Sequence, residues 1–186
     1  MLAIGDGALG FWAALREVWP DSQEQSCWVH RTANVLDKLP KRLQPKAKSQ
    51  LHEIYKSGTK EIAEEEVAKF VKEYEDKYPK AVASLLRGRE RMLTFFDFPA
   101  AHWQSIRSTN VIESAFATVR LRQRVTKGPG SRAKGLTMAF KLLAMAEKRW
   151  RRIRSPQLVQ SLLEGTKFLD GKPVENDTQK GRKSAA

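Results

Sequence analysis

The chain has 186 residues, 41% of them hydrophobic and 30% charged, which is enough to bury one core and too apolar for a wholly disordered polymer. No stretch approaches the roughly 18 apolar residues of a membrane span. A single cysteine, Cys27, excludes a disulfide framework and any cysteine-rich zinc module. The net charge of +13 calls for a polyanionic partner and says nothing about fold.

Taken in chain order, Met1 to Ile4 reads as the end of a buried strand running into a Gly5-Asp6-Gly7 turn. No basic segment precedes that short apolar start, so no signal peptide is expected and the setting is expected to be cytoplasmic and reducing. Phe11 to Val18 reads as a helix stopped by Pro20, Glu24 to Val29 as a second strand, and Thr32 to Leu39 as a short helix ended by Pro40. That alternation is a βαβ unit and favours a parallel sheet. Helices follow at Pro45–Ser57, at Lys60–Tyr78 with Thr59 as N-cap, and from Lys80 to about Met92. Phe95-Phe96-Asp97-Phe98 reads as an aromatic plug in the core. Thr109 or Asn110 caps a helix running to about Arg124, with Val111, Ile112, Ala115, Phe116 and Val119 as its buried face. Ser131 to Ile153 reads as a long amphipathic helix with Leu136, Phe140, Leu143 and Trp150 on one side. The polar segment beyond Gly165 is expected to be disordered.

The charge is uneven. Gln104 to Arg154 carries 13 basic residues and two acids, Glu113 and Glu147, so this window holds most of the excess. Its Arg107, Arg120, Arg122, Arg124, Lys127, Arg132, Lys134, Lys148, Arg149, Arg151 and Arg152 are the candidate phosphate ligands for a nucleic-acid partner. A solvated surface is the plain alternative.

Three groups of residues invite chemistry. Asp6 sits between glycines at the end of a predicted strand, where α/β sheets bind ligands; an ordinary Asp-Gly turn explains the same residues. Cys27 and His30 form a CxxH pair, half a zinc site, without a second cysteine to complete it. A structural cysteine with His30 hydrogen-bonded near the strand end accounts for them as well. Glu113 lies in the Asn110-Val111-Ile112-Glu113-Ser114 run inside the cationic window. It either makes an internal salt bridge to Arg120 or Arg107 or holds a divalent cation where phosphate binds.

Gly5-Asp6-Gly7-Ala8-Leu9-Gly10-Phe11, then Cys27-Trp28-Val29-His30 with Asn34, then Ser108-Thr109-Asn110-Val111-Ile112-Glu113-Ser114 with Arg120 and Arg122, resemble the Mutator-type transposases of bacterial insertion sequences. The resemblance covers roughly residues 1 to 154. It implies an α/β fold: a partial ribonuclease H-like core with an incomplete sheet, a helical insertion and C-terminal amphipathic helices. The corresponding divisions are residues 1–40 for the end of the core sheet and 41–103 for the insertion. Residues 104–154 carry the glutamate helix and a basic DNA-facing helix, and 155–186 a polar tail.

The resemblance also implies an Asp-Asp-Glu triad binding Mg²⁺, with Mn²⁺ as a substitute. Asp6 matches the second aspartate and Glu113 the glutamate, both catalytic and metal-binding. Cys27, His30 and Asn110 are motif residues read as structural or site-supporting. The implied reaction is DNA cleavage at an element end followed by attack of the freed 3′-hydroxyl on target DNA. The first aspartate should lie upstream of Asp6, so the sequence resembles the C-terminal part of a transposase and is expected to be impaired alone. An exposed sheet edge, poor solubility or homo-oligomerisation is expected with it. DNA, bound near the nucleoid, is the expected partner, with no membrane. Two other readings stay open: a non-catalytic nucleic-acid-binding protein, and an assembly partner docking through the Lys60–Tyr78 helix.

Overall fold

A computed structural model describes residues 1–174. Strand β1 (Leu2–Gly5), helix α1 (Leu9–Val18) and strand β2 (Gln23–Ser26) form the expected βαβ unit. The two strands pair in parallel, from Leu2 opposite Gln23 to Gly5 opposite Ser26. Helix α1 buries Trp12 and Leu15 and leaves Leu9 and Val18 in solvent.

The second strand ends three residues earlier than the sequence suggests, and α2 (Trp28–Leu36) begins where the strand was expected to continue. The cause lies at Cys27. Its N–H donates to Gly5 O, the last bond of the parallel ladder, and its extended backbone then caps α2. Trp28 is buried by turning into the helix; Val29, apolar and β-branched, ends up half exposed.

Helices α3 (Gln44–Lys56), α4 (Lys60–Tyr74), α5 (Pro79–Leu86) and α6 (Arg89–Leu93) follow. Thr59 caps α4 by accepting from the Ile62 N–H, and Asp170 adds a second cap from far along the chain, accepting from the Lys60 N–H at 2.7 Å. The helix expected from Lys80 to Met92 is two helices, interrupted at Arg87–Gly88. Core residues recur at helical spacing: Val35; Ala47, Leu51 and Ile54; Ala63, Val67, Phe70 and Tyr74; Val82 and Leu85. Phe95 and Phe96, on a 3₁₀ turn at Thr94–Asp97, are fully buried, as the plug reading expects. The core is continuous from Trp28 to Phe96, across the expected division at residue 40. The buried stripe of α4 is consumed in it, while Ile62 on the same helix stays exposed.

Next come α7 (Trp103–Ile106), α8 (Asn110–Val125) and α9 (Arg132–Glu147), the last two packed on one another as a hairpin. Of the expected buried face of α8, only Ala115 and Val119 are buried; Val111, Ile112 and Phe116 are exposed, as are Leu136, Phe140 and Trp150 near or on α9. Helix α9 also stops at Glu147 rather than near Ile153. The run Lys148-Arg149-Trp150-Arg151-Arg152 has five residues with four like charges and no buried face to repay helix formation.

After α10 (Gln157–Leu163) the segment expected to be disordered forms a small hairpin, β3 (Phe168–Leu169) and β4 (Lys172–Pro173). Phe168 is buried, the Gly171 N–H donates to Phe96 O and the Ala100 N–H to Gly171 O, so the hairpin is stitched to the core. The remainder of that expected disordered tail lies outside the described residues. Among the described residues no helix is long and apolar enough to cross a membrane.

Candidate functional site

Asp6 follows β1 directly. The close approach of α1 to the strand fixes it there: a Cβ on Gly5 would stand 2.7 Å from the buried Trp12 ring, so only glycine fits. Asp6 Oδ1 accepts from the Ala8 N–H at 3.1 Å, and the carboxylate remains exposed. The turn alternative is thus realised, and it leaves the charge available.

Cys27 and His30 occupy the start of α2 rather than a strand. His30 Nδ1 lies 3.2 Å from Cys27 Sγ and 3.7 Å from Glu113 Oε1. The His30 and Glu113 side chains are 37% and 41% exposed, so both face a solvent-accessible opening. Glu113 sits in the first turn of α8. Its Oε1 accepts a short hydrogen bond from the Thr109 hydroxyl. Thr109 Oγ1 is also 3.3 Å from Cys27 Sγ, which accepts in addition from the Thr109 N–H. One hydroxyl proton cannot serve both acceptors: with Cys27 as a thiol it belongs to the carboxylate.

The electrostatics tie these groups together. His30 is held above the usual imidazole value, first by its contact with Cys27, against the cost of its own burial. The negative charges of Cys27, Glu113 and Asp6 add to the effect. Burial pushes the Cys27 thiol up, but the hydrogen bonds from Thr109 and His30 outweigh it and bring the thiol below its ordinary value.

Glu113 pairs with neither arginine that the sequence offered. Arg107 is used elsewhere: Nε donates to Trp103 O, Nη1 to Tyr55 O, and the guanidinium lies 5.0 Å from the Tyr55 ring centre. Arg120 stays in solvent with Arg122, Arg124, Lys127, Arg132, Lys134, Lys148, Arg149, Arg151 and Arg152 along the hairpin and the segment after it. Arg122 and Arg124 also complement the negative end of α8. Asn110 is the first residue of α8 and is exposed.

Thr109 is the contributor that sequence reasoning misses, because it reads as a cap only. Its side chain makes no cap bond because it turns to Glu113, four residues on. That Thr-x-x-x-Glu spacing is the available signal. His102 contacts Ser155 O and His52 packs on Tyr55, so neither histidine reaches Cys27 and His30.

Among the described residues, no group of three or more His, Cys, Asp or Glu is placed to hold a metal ion. A zinc reading of Cys27 and His30 therefore lacks ligands. Asp6 and Glu113 are oxygen donors, the type that a hard cation such as Mg²⁺ prefers over the sulfur and nitrogen of Cys27 and His30.

The family model described as "Transposase, Mutator family" matches residues 1–155. The chain belongs to the Mutator family of transposases. It is 50% identical over its whole length to the transposase for insertion sequence element IST2 of Acidithiobacillus ferrooxidans, covering 63% of that protein. It is 50% identical over 178 residues to the transposase for IS6120 of Mycolicibacterium smegmatis, 96% of this chain and 55% of the relative. A third relative, the transposase for IS905 of Lactococcus lactis, is 32% identical over 113 residues, 61% of this chain and 29% of its own length. The chain thus spans less than two thirds of the length of these relatives. Within the Mutator-family match lie the Asp6, CxxH and Glu113 segments and the whole α8–α9 hairpin.

Proposed function

We propose that this chain carries the second aspartate and the glutamate of an Asp-Asp-Glu transposase site and serves metal-dependent DNA strand cleavage and transfer. The observation that best supports this is that the Cys27 turn joins the two segments: its N–H donates to Gly5 O, next to Asp6, and its Sγ accepts from Thr109, while His30 one turn on lies 3.7 Å from Glu113 Oε1. A ribonuclease H-like core belongs to the same proposal, with β1 and β2 as two of its parallel strands.

Asp6 and Glu113 would hold Mg²⁺, or Mn²⁺ in its place, which when bound stabilises charge on the phosphoryl group and acidifies the attacking oxygen. The chain's own residues do the rest. Thr109 fixes the Glu113 carboxylate through its hydroxyl, and Cys27 anchors both Thr109 and His30. Arg120, Arg122, Arg124 and the cations of the α9 region neutralise phosphates, which positions DNA without reading its sequence. With two carboxylates and no third acidic ligand beside them among the described residues, metal binding is weak and transposition by this chain alone is slight or absent.

The test pairs activity with a physical map. Supercoiled plasmid with the purified chain in Mg²⁺ or Mn²⁺ should show slow nicking at most, and none with Asp6→Asn or Glu113→Gln. Robust strand transfer by the chain would overturn the impairment. Replacing Mg²⁺ by Fe²⁺ in the DNA complex and adding peroxide should cut the polypeptide near residues 6 and 113. Cuts at neither place would favour a non-catalytic DNA-binding protein, a reading that the lack of a three-ligand cluster among the described residues keeps in play.

A further inference from the structure

Two grooves of similar size cross the molecule, and their charge differs. The first, about 1120 Å³, mixes Arg16, Lys60, Arg89 and Arg91 with as many carboxylates, among them Glu24 and Glu64. Those charges are largely spent on each other: Glu24 pairs with Arg16 and Arg91, and Glu64 with Arg89. The second, about 990 Å³, runs between α2, α3 and α7 up to Asn110 and Val111 in the first turn of α8, the turn that also bears Glu113. Lys48, Lys56, Arg107 and Arg154 line it, and among the described residues no carboxylate does. Aromatic rings interleave with these cations: His52, Tyr55 and Trp103, with the two former ring centres 5.2 Å apart.

We propose that this second groove binds a short unpaired stretch of the DNA strand that enters or leaves the Asp6–Glu113 site. The inference rests on the DNA-processing reading of that site and adds a separate single-strand subsite to it. Cations interleaved with flat rings suit a single strand, because bases expose their stacking faces only when unpaired. In a duplex those faces are hidden, and a basic surface such as the α8–α9 hairpin suffices. Arg107 is committed to Tyr55 O and Trp103 O, so Lys48, Lys56 and Arg154 are the cations free to meet phosphate. The His52 ring supplies stacking, backed by Tyr55, whose own ring carries the Arg107 guanidinium, and Asn110 at the groove's end hands the strand to the turn that bears Glu113.

The test is fluorescence anisotropy of the full chain with labelled oligothymidine and with a duplex of equal length. His52→Ala and the double variant Lys48→Ser/Lys56→Ser should each weaken oligothymidine binding by about tenfold. Duplex affinity should stay within about twofold. The lysine variant should also flatten the salt dependence for the single strand by about 0.7 for each phosphate it no longer neutralises. Independently of folding in any variant, an oligonucleotide carrying iodinated uracil should photocrosslink the unaltered chain at His52, Tyr55 or Trp103. Crosslinks confined to α8 and α9, or variants that weaken both DNA forms alike, would overturn the groove assignment. In that case duplex binding by the unaltered chain would leave the reading of the Asp6–Glu113 site standing; no binding of either DNA form would sink both.

Discussion

Gln25 is a buried polar side chain at the seam between the βαβ unit and the helical core, and its replacement by leucine gives a sharp test of how the two are joined. It is fully buried on β2. Its Nε2 donates to Ser26 O at 2.7 Å and Met92 O at 3.1 Å, and its Oε1 accepts from the Phe95 N–H at 2.8 Å. Met92 O has a second donor, Trp28 Nε1 at 2.9 Å, and survives the change. The Phe95 N–H loses the acceptor it has in Gln25, and an unpaired buried amide costs about 1–3 kcal/mol. Leucine adds little compensating burial, since the site is already dry, so Gln25→Leu should cost about 2 kcal/mol. With a urea slope of about 2 kcal/mol per molar, the unfolding midpoint should fall by about 1 M. Gln25→Glu sharpens the test, because it keeps the acceptor for Phe95 but turns a carboxylate toward two carbonyls. Burial raises the folded-state pKa of such a glutamate, so its stability should fall as pH rises through that value and recover in acid. A Gln25→Leu midpoint equal to that of the parent would refute the account of the seam.

Asp97 is raised above the usual carboxylate value by burial, against the pull of Lys60 and with help from Asp170. A raised acid favours the fold below its unfolded pKa and costs stability as pH climbs through the folded one. Asp97→Asn should therefore raise the melting temperature at pH 7, with the gain vanishing below about pH 4; a pH-independent gain would contradict this. Gly171 has φ +79°, and a Cβ there would stand 2.5 Å from Ala100 Cβ and 2.8 Å from the Trp103 ring. Gly171→Ala should cost about 1–3 kcal/mol and speed proteolysis after Gly165, and an unchanged cleavage rate would show that the hairpin is not docked. Replacing Arg120 and Arg122 together with serine should lower the slope of log affinity for duplex DNA against log salt by about 0.9 for each phosphate left without its arginine. An unaltered slope would remove them from the DNA face. Thr109→Val should raise the Cys27 thiol titration, followed by thiolate absorbance, because a hydroxyl donor to the sulfur is gone. A thiol lowered by folding contributes stability above its unfolded pKa that is lost as pH falls through the folded one. The stability gap between Thr109→Val and the parent should therefore widen toward alkaline pH, and an unmoved titration would mean that Thr109 does not set it.

The sequence discloses those parts of the fold in which local pattern and burial agree. Thr59 ahead of a stripe at Val67, Phe70 and Tyr74 yields α4, and an apolar run at Met1–Ile4, a helix and a second strand from Glu24 yield the parallel pair. It misleads where the same residues satisfy two periods. Cys27-Trp28-Val29 reads as strand, yet Gly5 O ends the ladder at Cys27 and the Trp28 ring is buried by a helix. Phe168 looks like one apolar residue in a polar tail, and only the Phe96–Gly171–Ala100 hydrogen bonds reveal that it belongs to the core. Of the candidate site, Asp6, His30 and Glu113 are legible as residues with motif neighbours. Thr109 is legible only through its four-residue spacing to Glu113, because as a residue it reads as a helix cap. Arg107 is legible only as a charge, since its two carbonyl partners, Trp103 and Tyr55, include one more than fifty residues away.

The surroundings of Glu113 support the active centre proposed for this Mutator-family chain. In a window of 13 cations, a carboxylate serving only stability would be neutralised by the nearest guanidinium. Arg107 is close in sequence but directed into the core, and Arg120 is two turns along and turned to solvent. Glu113 keeps instead a neutral hydroxyl and a titratable imidazole, partners that orient a carboxylate without cancelling it. Asp6 shows the same economy, one backbone N–H on one oxygen and an exposed face. A surface that leaves two carboxylates uncancelled beside abundant arginines gives up ion pairing worth about 0.2–1 kcal/mol for each exposed pair. That sacrifice is small, and it is what a site needs if its negative charge is to meet a cation that arrives with the DNA.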